Sequence, residues 1–185
     1  MTSQSETRRP LPGDPDPQQR LAGIIRVDHA GEFGAKRIYE GQLAILGRGR
    51  HGTTLRHMKE QEQVHLDRFS ALIRSHRVRP SALMPFWHVA GYALGATTAL
   101  LGERAAMACT VAVEEVIETH YARQLTALGD SEPVLREDIA TFRAEEIEHR
   151  DIGLANQATQ APGYPLLSAV IKAGSRAAIW LAERL

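Results

Sequence analysis

The sequence predicts an all-α fold. Apolar residues recur at steps of three and four through most of the chain, the spacing of one helix face. Strict apolar–polar alternation is nearly absent, and no Asn-Gly or Asp-Gly turn joins two β-branched runs. Glycines and prolines interrupt the periodic stretches where helix ends are expected.

The first twenty residues, "MTSQSETRRPLPGDPDPQQR", are polar and proline-rich and lack the apolar core of a signal peptide. They read as a disordered arm (1–20) of a protein that is not secreted, with residues 21–185 as one domain. The first helix is expected from about Pro17 to Leu46, ending at Gly47 and Gly49. A second covers about Thr53 to His76 and stops before "RVRPS". Residues 82–102, "ALMPFWHVAGYALGATTALLG", form an apolar helix with glycines inside it. A fourth helix runs from about Glu103 to Leu128 and stops at Gly129. Ser131 is the expected N-cap, with Pro133 in the first turn, of a fifth helix reaching about Ala158. The last occupies about Leu166 to Leu185.

Composition excludes several classes. Lys+Arg and Asp+Glu both number 22, so net charge gives no reason to expect a nucleic-acid partner. Cys109 is the sole cysteine, which rules out an internal disulfide, and "AMACTVAV" marks it as a small buried residue.

The chemistry sits inside the apolar stripes. The second helix carries Leu55, Met58, Glu62, His65, Phe69 and Leu72 on one face; the fifth carries Leu135, Ile139, Phe142, Glu146, His149 and Ile152. A histidine in such a stripe is ordinarily a satisfied core residue. A glutamate beside it argues otherwise, because an unpaired buried carboxylate is costly. The first helix adds Glu32 to the stripe Leu21, Ile25, Ala35, Tyr39, Leu46. The fourth adds Glu114 to Met107, Val111, Tyr121, Leu125, Leu128, whereas Glu115 falls on a weaker alanine stripe. Glu118 lies near enough to support a ligand from behind.

The order is Glu then Glu-x-x-His, twice. Glu32 precedes Glu62 by 30 residues, and Glu114 precedes Glu146 by 32. Such an internal repeat of a helical hairpin predicts a ferritin-like four-helix bundle with a carboxylate-bridged pair of metal ions, plus an added apolar helix and a C-terminal amphipathic helix. Four glutamates offset two Fe²⁺ ions if both histidines are neutral, and mixed carboxylate–imidazole ligands suit iron or manganese.

Four strings, "IIRVDHAGEFGAKRIYEGQLAILGR", "RVRPSALMPFWHVAGYALGA", "ACTVAVEEVIETHY" and "EEIEHRDIG", closely resemble the demethoxyubiquinone hydroxylases, di-iron monooxygenases of ubiquinone biosynthesis. The likeness runs from about residue 21 to the C-terminus. It implies iron ligands at Glu32, Glu62, His65, Glu114, Glu146 and His149, the same six that periodicity selects, with Glu62 and Glu146 bridging. The implied reaction hydroxylates one ring carbon of a polyprenylated methoxy-methyl-benzoquinol. O₂ supplies the inserted oxygen, its second atom leaves as water, and an external reductant is required. The resemblance assigns His120 and Tyr121 to proton or electron delivery; ring packing above the site explains them equally well. Asp28, one turn before Glu32, is placed to orient a ligand. A lipid-binding accessory protein of the same pathway is the implied partner, and homo-oligomerisation is left open.

Between Arg79 and Glu103 no charged residue occurs, and about twenty apolar residues suffice to span a bilayer. A single crossing there would put Glu32, Glu62 and His65 on one side and Glu114, Glu146 and His149 on the other. One site cannot be assembled that way, so the segment is expected to lie in the membrane interface or to dip in and return, on the cytoplasmic face of the cell membrane. The last helix shows a polar edge of Ser168, Lys172, Ser175, Arg176 and Glu183 beside a broad apolar face with Trp180, the pattern of an interfacial helix. Two rival functions remain at this level. An iron oxidase or peroxide-reducing protein of the ferritin or rubrerythrin kind would keep the bundle but needs no lipid access. A metal-free membrane-surface scaffold would need neither glutamates nor histidines inside.

Overall fold

The computed structural model describes residues 16–185. Among them lie six α-helices and no strand: α1 (Pro17–Leu46), α2 (Gly52–Ser75), α3 (Met84–Leu100), α4 (Glu103–Leu128), α5 (Pro133–Ala155) and α6 (Tyr164–Ala182), with a 3₁₀ turn at Ala158–Gln160. The all-α expectation holds. Most of the expected arm, residues 1–15, lies outside the described residues, and Pro17 to Arg20 already belong to α1. Asp16 caps that helix in a reciprocal pair with Gln19, each side chain bonding the other's backbone N–H.

Helices α1 and α2 form one hairpin and α4 and α5 another, and the two hairpins make the four-helix bundle. The repeat extends further than the sequence suggested. Helix α3 packs on the outside of α1, and α6 packs correspondingly on α4. Apolar clusters fill the bundle at either end. Ile25, Phe69, Tyr121, Leu128, Leu135 and Ile139 close one end; Leu55, Met58, Met107, Ala108 and Val111 close the other. The charged residues of the stripes lie between these two plugs, where water is excluded.

The α1–α3 contact is backbone against backbone. A Cβ at Gly95 would meet the Ile38 carbonyl oxygen at 1.9 Å, and one at Gly41 would meet the Tyr92 carbonyl oxygen at 2.2 Å. The glycines inside the apolar helix therefore exist to bring two helices closer than any side chain permits, as in membrane-helix packing.

Several boundaries differ from expectation. Ser131 does not cap α5; its hydroxyl donates to the Leu128 carbonyl and closes α4 instead. Glu132 precedes α5 with a left-handed φ of 50° and makes no side-chain cap. Helix α5 ends at Ala155 rather than near Ala158, where the chain tightens into the 3₁₀ turn, and α6 begins at Tyr164 and ends at Ala182. Gly129 stops α4 with φ 55° and ψ −124°, a conformation open only to glycine. Gly47 ends α1 without left-handed geometry, at φ −62°. No described helix is long and apolar enough to cross a membrane.

The last helix is turned the other way from the simple amphipathic reading. Ser168 is buried, Lys172 pairs with Glu115 of α4, and Ser175 faces the interior groove described below. The outward stripe is Leu166, Val170, Ala173, Ala177 and Trp180. Helix α3 is similar: it buries Gly91, Gly95, Thr98 and Ala99 and exposes Phe86, Val89 and Leu100. Both outer helices thus carry large apolar residues on their outward faces as well as on the inner ones, where Leu94, Ile171 and Ile179 pack.

Candidate metal centre

Helix periodicity delivers the six sequence-selected residues to one place. On α2 and α5 the i,i+3 spacing sets each glutamate beside its histidine; on α1 and α4 the single glutamates face them. Glu32, Glu62, His65, Glu114, Glu146 and His149 are each 2% exposed or less. They form two overlapping groups, Glu32–Glu62–His65–Glu146 and Glu62–Glu114–Glu146–His149, in each of which the ligand atoms lie within 4.8 Å of one another. Glu62 and Glu146 belong to both groups. His65 Nδ1 lies 3.3 Å from both Glu32 and Glu146. His149 Nδ1 lies 3.2 Å from Glu146, 3.3 Å from Glu62 and 3.9 Å from Glu114.

Four carboxylates in a dry interior demand positive charge. Burial alone would lower His65, but hydrogen bonds to Glu146 and Glu32 overcome it and lift the imidazole to about 12. Burial raises Glu146, yet hydrogen bonds to His149 and His65 outweigh it and hold this carboxyl at about 2. Burial and then the neighbouring carboxylates push Glu62 and Glu114 well up. Protons alone still leave the cluster incomplete. Both oxygens of Glu62 and one each of Glu114 and Glu146 are buried without a hydrogen-bond donor. Acceptors with no donor, converging from three helices, fit divalent cations that would displace the protons. The donor set is compatible with a pair of iron ions.

The flanking groups follow the repeat. Tyr39 on α1 donates across the bundle to Glu114 Oε1 at 2.7 Å, and Tyr121 on α4 donates back to Glu32. Each tyrosine sits seven residues after its own helix's glutamate, so the two bonds cross. Burial first, and then the facing carboxylates, raise both phenols, which keeps them donors. Periodicity had placed Tyr39 in the core without a polar role; the matching seven-residue spacing was the available signal.

His120 does not reach the ligands. It lies 3.3 Å from Asp28, whose carboxylate also accepts from Gln124 at 2.7 Å. Asp28 therefore faces His120 and Gln124, on the side of the bundle near Glu32. Glu118 is tied to Arg143 of α5 and does not back a ligand. Glu115 points away toward Lys172, as its weaker stripe implies. Sequence reasoning missed Glu145 and Gln61, which accept from Nε2 of His65 and His149 respectively. Each immediately precedes a Glu-x-x-His glutamate, a shared position visible in "QEQVH" and "EEIEH".

A family model described as Ubiquinone biosynthesis protein COQ7 matches residues 19–182. The chain belongs to this family. It is 58% identical over 176 residues to the 3-demethoxyubiquinol 3-hydroxylase of Rhodospirillum rubrum, covering 95% of this chain and 83% of that one. It is 54% identical over 166 residues to the human mitochondrial NADPH-dependent 3-demethoxyubiquinone 3-hydroxylase, covering 88% and 76%. The yeast mitochondrial 5-demethoxyubiquinone hydroxylase matches at 42% over 182 residues, covering 89% and 78%.

This COQ7-family chain also contains an apolar groove of about 320 Å³ between α1, α3, α4 and α6. Gly31, Gly34, Val113 and Ile117 form its inner wall, and α3 and α6 its outer one. Gly31 adjoins Glu32 in sequence and Val113 adjoins Glu114, so the wall is the back of the helices that carry those two carboxylates. A Cβ at Gly31 or Gly34 would meet nothing within 4 Å, so both glycines open onto the space.

Proposed function

We propose that this protein is an O₂-dependent di-iron monooxygenase that hydroxylates a ring carbon of a polyprenylated methoxy-methyl-benzoquinol in ubiquinone biosynthesis. The carrying observation is a groove of almost wholly apolar lining set directly behind two helices whose opposite faces supply buried carboxylates to a two-metal cluster. Iron storage or peroxide reduction has no use for such a groove, and the named relatives are hydroxylases.

The ligand assignment is Glu32, Glu62, His65 and Glu146 for one iron and Glu62, Glu114, Glu146 and His149 for the other. When bound, the irons supply the electrons that activate O₂. The protein's own residues do the rest. Tyr39 and Tyr121 hold the terminal carboxylates in place through their crossed hydrogen bonds. The apolar plugs at both ends keep water from the centre. The glycines of α1 leave room for a planar ring beside Glu32, and the prenyl tail follows the groove outward between α3 and α6. Two polar groups of the wall are positioned to meet the ring's oxygen substituents: the Ser175 hydroxyl, and the Trp87 indole N–H, which is buried with no acceptor. His120 and Asp28 offer a proton route toward Glu32 from the partly exposed side of α4. Hydroxylation consumes one O₂, two electrons and two protons, and releases one water, so a reductant must dock from outside.

Membrane attachment is part of the same reading. Leu166 is 73% exposed, Leu100 71% and Val89 65%, on two neighbouring helices without a charge in α3. Apolar side chains arrayed outward in this way favour a lipid surface, here the cytoplasmic face of the cell membrane. A lipid-binding accessory protein would meet the chain on the same face.

The test is direct. Iron-loaded protein in vesicles, given demethoxyubiquinol, a reductant and ¹⁸O₂, should yield a product with one labelled ring oxygen. Two bound irons with no label in the ring would overturn the hydroxylase reading.

A further inference from the structure

The two halves of the bundle correspond residue by residue around the metal centre. Glu32 matches Glu114, Tyr39 matches Tyr121, and Gln42 matches Gln124. Glu62–His65 matches Glu146–His149. The correspondence is one of contact as well as of position. Both tyrosines cross to the opposite glutamate, and both histidines aim Nδ1 inward and Nε2 outward.

The symmetry fails at positions just behind the ligands, and two of these failures add an acid on one side. Nε2 of His65 meets the carboxylate of Glu145, whereas Nε2 of His149 meets the side-chain amide oxygen of Gln61 at 3.0 Å. One turn before Glu32 stands the buried acid Asp28; one turn before Glu114 stands the neutral Thr110, within 3.5 Å of Gln42. The Glu32–His65 side therefore has two additional acids. The Glu114–His149 side has an amide and a hydroxyl in the equivalent places.

We infer that Glu145 and Gln61 are positioning residues that make the two iron positions unequal, with the tighter and more electron-rich one at Glu32–Glu62–His65–Glu146. This rests on the two-iron reading proposed above. A carboxylate accepting from the outer N–H of a ligating imidazole fixes the ring and strengthens its metal-facing nitrogen as a donor. A neutral amide oxygen fixes the ring but polarises it much less. Removing such an outer partner typically lowers metal affinity by about 10- to 100-fold. Asp28 is a second acid on the same side, partnered there by His120 and Gln124. Tyr39 and Tyr121 are matched and cancel in the comparison. A metal centre whose ligands are symmetric is thus made directional by what lies behind them.

Iron-loaded protein challenged anaerobically with a ferrous chelator should release its metal in two phases, one iron each. Glu145→Gln should accelerate the slow phase about tenfold or more and leave the fast phase unchanged. Gln61→Glu should slow the fast phase. Glu145 is about one-third exposed, so the glutamine variant keeps its fold, and circular dichroism checks this. The ferrous Mössbauer spectrum should show two unequal environments that converge in Glu145→Gln. Two irons leaving in one phase, or Glu145→Gln altering only the fast phase, would overturn the inference while leaving the hydroxylase reading intact. Absence of iron altogether would sink the two-iron reading itself.

Discussion

Substituting Gly95 by alanine should separate α3 from α1, and the structure gives the size of the disturbance. The new methyl would start 1.9 Å from the Ile38 carbonyl oxygen, and ordinary contact begins at 3.4 Å. The neighbour is backbone and cannot rotate away, so α3 must withdraw by about 1.5 Å; overpacking of this kind costs about 1–3 kcal/mol. The better helix propensity of alanine returns roughly 0.5–1 kcal/mol. The net loss, up to about 2.5 kcal/mol with a midpoint of about 1.2 kcal/mol, lowers Tm by about 2–5 °C at that midpoint in a chain of this length. Gly34→Ala supplies the opposite sign. Its methyl meets nothing within 4 Å, so only the propensity gain remains and Tm should rise by about 1–4 °C. Thermal melts of the two iron-loaded variants followed by circular dichroism measure both. The Gly95 variant should also show a raised KM for a short-tailed quinol, because α3 forms the outer wall of the groove. Gly95→Ala melting at or above the parent would show that the α1–α3 seam is not the close backbone contact described here.

Glu114→Gln should lose iron from one of the two positions, whereas Glu115→Gln keeps both irons and most activity, since Glu115 faces Lys172; metal analysis with a turnover assay separates them, and the reverse pattern would put the α4 register in error. Gly31→Leu should fill the groove beside Glu32 and abolish hydroxylation with two irons still bound, read from iron content against turnover. Cys109 is fully buried, and burial pushes its thiol up to about 12; the thiolate appears only above that pH, so alkylation at pH 8 should proceed no faster than global unfolding, as a denaturant series will report. Replacing Leu100, Leu166 and Trp180 with glutamine should release the protein from phospholipid vesicles, each large apolar side chain being worth about 1.5–3 kcal/mol in lipid. Turnover of a long-tailed quinol in membranes should fall while a soluble short-tailed analogue is still hydroxylated; equal loss of both would assign these residues to bundle packing.

The helices and the inward glutamates were legible because both depend on one quantity, the angular position of a residue on a helix. Glu114 was separated from Glu115 on that basis alone, and the structure places them on opposite sides. Information that depends on neighbouring helices was not legible. Periodicity placed Tyr39 inside but could not say that its hydroxyl crosses to Glu114, because that bond joins residues on different helices. Ser131 has the chemistry of an N-cap, yet the left-handed turn at Glu132 directs it back to α4. Leu94 belongs to the same charge-free run as Leu100, yet it lines the groove while Leu100 faces outward, a difference set by the packing of α3 on α1. The polar edge of α6 is split: Ser168, Lys172 and Ser175 turn toward the bundle while Arg176 and Glu183 stay exposed, because amphipathicity alone does not say which residues meet a neighbouring helix.

The three-helix repeat separates two requirements that conflict in a single bundle. The proposed holding of two cations among four acids calls for dry, tightly plugged hairpins, and α1–α2 with α4–α5 provide two apolar ends around the acids. Admitting a long-tailed ring calls for an opening and an apolar exterior. Placing both demands on the same helices would expose the carboxylates or bury the entrance. Helices α3 and α6 remove the conflict, since neither supplies a residue to the cluster. They are free to turn Phe86, Val89, Leu100, Leu166, Val170 and Trp180 outward, and the glycine seam holds α3 close against α1. The groove lies behind Glu32 and Glu114 rather than in front of them, so in the proposed function a ring would enter from the apolar side while the acids face the bundle axis. A polar substitution in the groove wall, such as Ile117→Asp, should therefore harm turnover of tailed substrates far more than iron content. Equal losses of both would mean that the groove and the metal centre are one cavity rather than two compartments joined through α1 and α4.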